Sequence, residues 1–248
     1  MPPSTSPTSP APRLQLVDAL RGFAVAQMIV YHFIYDLAYF GWLDLVMTRD
    51  QPWVAWRTAI VTQFLLLVGV SLVLRTSFKP STADFWNRWA QIAAAALLVS
   101  VGSWLVFGPR LIYFGILHFV AAALLIARPL LRLGAANILL GAICVFVGLT
   151  WTNEFFNTPP ANIVGFMTFK PRTEDYVPLF PWIGVVLIGA GAAAQWQRAQ
   201  WRIPNALKPL NERAPHWLLF LGTWALTVYL VHQPILLGAM TLARKLGL

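Results

Sequence analysis

Seven apolar stretches, each near the ~20 residues needed to cross a bilayer core, occupy most of this chain, at roughly 17–40, 53–75, 86–107, 111–127, 135–152, 177–196 and 217–241. In hydrocarbon every backbone N–H and C=O must be satisfied within the protein, which leaves only helices and closed barrels as spanning structures. The runs are continuously apolar, without the alternation of a barrel strand, so they predict an all-α polytopic transmembrane bundle of about seven spans. Charged residues make up 11% of the 248, against about 25% in globular proteins, so too little polar surface exists for a soluble domain. The opening "MPPSTSPTSPAP" lacks both a basic start and an apolar stretch. It reads as a disordered tail over residues 1–12 ahead of a single domain over 13–248. The single cysteine, Cys144, rules out an intramolecular disulfide.

Charge sets the expected orientation. With the N-terminus cytoplasmic, eleven of the eighteen Lys and Arg residues fall on the inner side and seven on the outer, in keeping with the positive-inside rule. The net charge of +9 is spread over short loops beside spans, which points to topology and anionic headgroups of membrane lipids and not to nucleic acid.

Within the first span, "RGFAVAQMIVYHFIYD" (21–36) carries charge where lipid would penalise it. Arg21 and His32 are eleven residues apart, which returns an α-helix to within about 20° of the same face and separates them by roughly 16 Å. Asp36 follows His32 at i+4, on the same stripe. Such a stripe has to face the bundle interior or an aqueous cavity, and intramembrane ionisable groups mark functional sites. An imidazole titrating near neutrality can take a proton from a hydroxyl or amine while a carboxylate orients its ring, a pairing that makes His32 the candidate base and Asp36 its orienter.

The segments "LVDALRGFAVAQMIVYHFIYDLAYFGW", "DYVPLFPWIGVVLIGA" and "TVYLVHQPIL" resemble the bacterial relatives of heparan-α-glucosaminide N-acetyltransferase, within the transmembrane acyltransferase superfamily. The likeness runs over nearly all of residues 13–241. An Arg, ten residues and then a His on the first span is also the hallmark of related sugar O-acyltransferases. The resemblance implies an enzyme of the bacterial inner membrane that moves an acyl group, acetyl in the first instance, from cytoplasmic acyl-CoA to a saccharide or glycolipid amine or hydroxyl on the far side. It implies no metal and allows an oligomer. The lysosomal members place a histidine in the first outer loop; here "GWLDLVMTRDQP" has none, so the role falls to His32. Direct transfer and an acyl-imidazole intermediate on His32 are both open.

Around that stripe stand further candidates. Arg21, Arg75, Arg88, Arg128 and Arg132 lie at inner ends of spans, and Arg grips phosphate with a bidentate fork, which fits them to hold the nucleotide of an acyl-CoA. Arg110, His118, Asp175, Tyr176, Trp182 and His232 cluster toward the outer ends as candidate acceptor-binding residues. His32, His118 and His232 are expected at similar depths, with His118 about eight residues inside its span. Two rival readings use the same residues. Paired histidines on different spans can ligate a haem and make an electron carrier, and an Asp36–His32–Arg21 relay beside the Pro-interrupted "VPLFPWIG" can serve a proton-coupled transporter.

Overall fold

The computed structural model describes residues 14–78 and 81–247. The tail at 1–12, together with Arg13 and Lys79 of the charge count, lies outside the described residues. The long helices are α1 (Gln15–Tyr39), α2 (Gln51–Phe78), α3 (Thr82–Phe107), α4 (Ile116–Leu130), α5 (Asn137–Thr150) and α6 (Leu179–Arg198). Two short ones follow, α7 (Lys208–Glu212) and α8 (His216–Thr223), and the chain closes with α9 (Ala225–Lys245). No strand occurs among the described residues; an isolated parallel bridge joins Phe114 to Tyr176. The molecule is an all-α transmembrane bundle. Among the described residues five segments are long and apolar enough to cross a membrane: 15–39, 51–78, 82–110, 116–150 and 225–245.

Contacts give the helix directions. Gln63 on α2 donates to the carbonyl of Leu20 (3.1 Å), and Trp56 donates to Gln27 (3.2 Å), so α1 and α2 are antiparallel. Trp89 donates to the carbonyl of Ala121 (3.0 Å) while Ser100 meets His118 (2.9 Å), so α3 and α4 are antiparallel as well. Gly148 faces Pro181 and Gly191 faces Ile138, which opposes α5 to α6. In contrast α2 and α6 run the same way, with Gly69 against Val186 and Ala190 and, at the end of α2 and just past the end of α6, Phe78 against Trp201. The 116–150 segment is a reversal and not one long rod: Gly134, at φ 55°, breaks the helix between α4 and α5. A left-handed backbone of this kind is one that glycine adopts without steric cost.

Two boundaries differ from the sequence expectation. Residues 111–115 are not helical; Phe114 accepts from the N–H of Val177 (3.2 Å), and α4 begins only at Ile116. His118 therefore sits in the first turn of its helix and not eight residues within it. The last span is broken at Trp224, where α8 gives way to α9. α8 and α9 lie along α1 in the same direction, with Gly22 packed on Leu218 and Gly222, and Gly222 on Asp18. A side chain at either glycine would strike the opposing backbone, so small residues here let the helices touch, as they do where lipid supplies no hydrophobic drive.

The main core joins α2, α3, α4 and α6 through Leu65, Leu72, Phe85, Phe119, Val186 and Leu187. Leu105, Phe146 and Leu149 are about 70% exposed (73%, 67% and 71%), as lipid-facing positions require. Helix starts are satisfied from a distance. Asn211 on α7 accepts from the N–H of Leu16 (3.1 Å) at the head of α1, and Asp175 accepts from the N–H of Ile116 (2.9 Å) at the head of α4, answering the unpaired donors that every helix start exposes.

Candidate functional site

The parallel course of α1 and α9 brings together two histidines 200 positions apart in sequence. Nδ1 of His32 and Nε2 of His232 are 3.1 Å apart, and Nδ1 of His232 is 2.7 Å from the carbonyl of Tyr229. A carbonyl only accepts, so His232 carries its proton on Nδ1. Its Nε2, in the neutral ring, then offers a lone pair and accepts the Nδ1–H of His32. With both rings neutral this chain of donors leaves the lone pair of His32 on Nε2, on the other side of the ring. A base held in one tautomer by a fixed partner is what proton abstraction needs.

Asp36 does not orient that ring. Its carboxylate, 1% exposed, accepts from Nε2 of Gln233 at 2.9 and 3.1 Å. The stripe on α1 is therefore read by α9 in two layers, His32 with His232 and, one turn on, Asp36 with Gln233. The orienting role expected of Asp36 falls to His232, because the residue facing the imidazole across the helix contact is His232 and not the carboxylate at i+4.

At the opposite end of the same bundle the arginines gather on the first turns of α3. Arg75 donates to the carbonyl of Asp84 (3.1 Å), Arg128 stacks over the Phe85 ring at 3.9 Å, and Arg88, half-buried, lies within electrostatic reach of Arg75 and Arg21. Arg21 also bonds Asp18 (3.0 Å), Ser71 (2.8 Å) and the carbonyl of Gly222 (3.1 Å). The structure brings Arg21, Arg75, Arg88 and Arg128 together and leaves Arg132 exposed on the turn after α4. Like charges brought near one another repel unless anions join them, and Asp18 is such an anion for Arg21.

Residues 13–234 match the family described as heparan-alpha-glucosaminide N-acetyltransferase, catalytic. The chain belongs to this family. No curated protein and no solved structure matches. The family is one of membrane acetyltransferases, and its donor is acetyl-CoA.

The remaining candidates each meet partners within the fold. His118 accepts the N–H of Gly115 on Nδ1 (3.3 Å) and so donates from Nε2 to Ser100 (2.9 Å), which passes its own proton to the carbonyl of Ile112 (2.7 Å). Asp175 accepts from Ile116 and from the Tyr229 hydroxyl (3.4 Å). Burial pushes its carboxyl above the ordinary range, against the pull of the Ile116 N–H and the Lys170 charge. Tyr176 donates to the carbonyl of Asn162 and packs near Tyr113, and burial beside that second phenol pushes its own pKa further up, keeping it a donor. Trp182 lies against the main core, and Arg110 pairs with Glu174 at 3.0 Å. Gln233, Tyr229 and Ser100 were not singled out by the sequence; the signal for Gln233 and Tyr229 was their place beside His232, in "YLVHQP".

The haem reading fails on geometry. Two imidazoles on one metal stand about 4 Å apart, two bonds of about 2 Å each, whereas His32 and His232 bond each other directly and both nitrogens of His118 are engaged. Among the described residues no group of three His, Cys, Asp or Glu could hold a metal ion. Arg21 bonds residues of α1, α2 and α8 at the end of α1 far from His32.

Proposed function

We propose that this protein transfers an acetyl group from cytoplasmic acetyl-CoA to a saccharide amine or hydroxyl, carried by a lipid or free, on the other side of the bacterial inner membrane. In this reading the chain crosses seven times, counting α8 and α9 as one span, with its N-terminus inside. The alternating helix directions and the Lys and Arg bias support that count and orientation. The observation that carries the proposal is the His32–His232 pair, whose hydrogen bonds direct a lone pair onto Nε2 of His32.

The arginines Arg21, Arg75, Arg88 and Arg128 receive the phosphates of acetyl-CoA. The roughly 16 Å from Arg21 to His32 along α1 suits an extended pantetheine arm. His32 Nε2 removes a proton from the acceptor N–H or O–H as that atom attacks the thioester carbonyl. The C–S bond breaks, a C–N or C–O bond forms, and the thiolate recovers the proton from the imidazolium. His232 fixes the tautomer throughout, and its own Nδ1–H remains on the Tyr229 carbonyl.

Proteoliposomes test the direction of transfer. With radiolabelled acetyl-CoA outside vesicles and glucosamine sealed within, labelled product is expected in the lumen only where the protein sits with its arginine end outward. Arg88→Ala is expected to raise KM for acetyl-CoA about tenfold, the loss of one charge-assisted contact. Product forming on the donor's own side would overturn transfer across the membrane.

A further inference from the structure

One residue after His232 on α9 lies an acceptor atom with no donor. Oε1 of Gln233 is completely buried and makes no hydrogen bond, while the Nε2 of the same amide spans both oxygens of Asp36. The orientation of the amide follows from charge, because a carboxylate accepts only and would repel Oε1. Asp36, itself 1% exposed, thus locks Gln233 with its carbonyl turned away. Two other buried acceptors lack donors, Oδ1 of Asn137 and of Asn162. Their amide nitrogens serve a helix reversal and a loop: Asn137 binds the carbonyls of Leu130 and Gly134, and Asn162 binds the Tyr113 hydroxyl. Gln233 instead follows His232 in the chain and faces the residue one turn beyond His32. A buried unpaired acceptor is costly, and its neighbourhood here says what it is kept for.

We infer that Gln233 binds the acceptor, its Oε1 taking a hydrogen of the nucleophile while His32 Nε2 takes another, and so favours an amine over a hydroxyl. The inference rests on the acetyltransferase reading above. A neutral amine brings two hydrogens on the attacking nitrogen, one for the base and one for Gln233. A hydroxyl brings one, and the two acceptors compete for it. The free carbonyl then has no donor in the hydroxyl complex, the situation in which a buried polar group discriminates against a substrate. Asp36 acts through Gln233, as the residue that aims it.

The test is a competition between glucosamine, as the amine, and glucose, as the hydroxyl, with labelled acetyl-CoA and the full chain in nanodiscs. Gln233→Met keeps the volume and loses the acceptor; the ratio of kcat/KM for glucosamine to that for glucose is expected to fall about tenfold. The exchange D36N with Q233E restores one amide donor, one carboxylate and one outward acceptor oxygen, and is expected to return the ratio toward wild type. An unchanged ratio in Gln233→Met, with both acceptors slowed alike, would overturn the inference and leave acetyl transfer standing. A well-folded wild type that releases no CoA with either acceptor would overturn the acetyltransferase reading and this inference with it.

Discussion

His32 and His118 share a chemistry and an apolar setting, yet the fold bonds them differently. His118 spends both nitrogens within its own neighbourhood, one on the N–H of Gly115 and one on Ser100, and closes the start of α4. His32 turns its Nδ1 to His232 on another helix and also bonds the backbone of Met28. A histidine is made structural or chemical by how many of its nitrogens the fold has already committed, and a helix terminus, rich in unpaired donors, commits them readily.

That contrast can be broken from either side. The largest effect is expected from His32→Ala, which removes the base and should slow acetyl transfer about 10²- to 10⁴-fold with little change in the melting temperature in detergent. His232→Ala leaves the base but frees its tautomer, and is expected to lower kcat about tenfold, measured under saturating acetyl-CoA. His118→Ala should behave in the reverse manner, costing about 1–2 kcal/mol of stability while the folded fraction turns over much as wild type does. Loss of activity in that variant in proportion to neither folding nor expression would show the two histidines to be one site.

Smaller effects sharpen the account of the α4 corner. The carboxyl of Asp175 is held above its ordinary value by burial, so the folded state binds its proton more tightly than the unfolded chain. Stability from this group is present below the ordinary value of about 4 and falls as pH rises toward the raised one. Melting curves of Asp175→Asn should lose that decline. Arg110→Ala, which opens an ion pair whose Arg side is 54% exposed, is expected to cost well under about 1 kcal/mol.

Much of the bundle was legible in the sequence because the bilayer enforces one rule on every spanning segment. The apolar runs near 17–40 and 53–75 correspond to α1 and α2. Period alone could not show that residues 111–115 pair with 176–177 in place of extending a helix, since the donor of that bridge lies over sixty residues away. The same distance hid the partner of His32. Spacing on one helix made Asp36 the natural neighbour, but which face of α9 meets α1 is decided by the Gly22–Gly222 contact, where two backbones touch. His118, read as a member of the site by its depth, sits in the first turn of α4 with both nitrogens bonded locally, because α4 starts only at Ile116.

The central claim is that His32 carries the free lone pair and His118 does not. The most direct measurement is acetyl transfer from labelled acetyl-CoA to glucosamine by wild type, His32→Ala and His118→Ala, each in nanodiscs and normalised to folded protein. The account predicts turnover in wild type and His118→Ala and its loss in His32→Ala. Transfer by His32→Ala at the wild-type rate would contradict it.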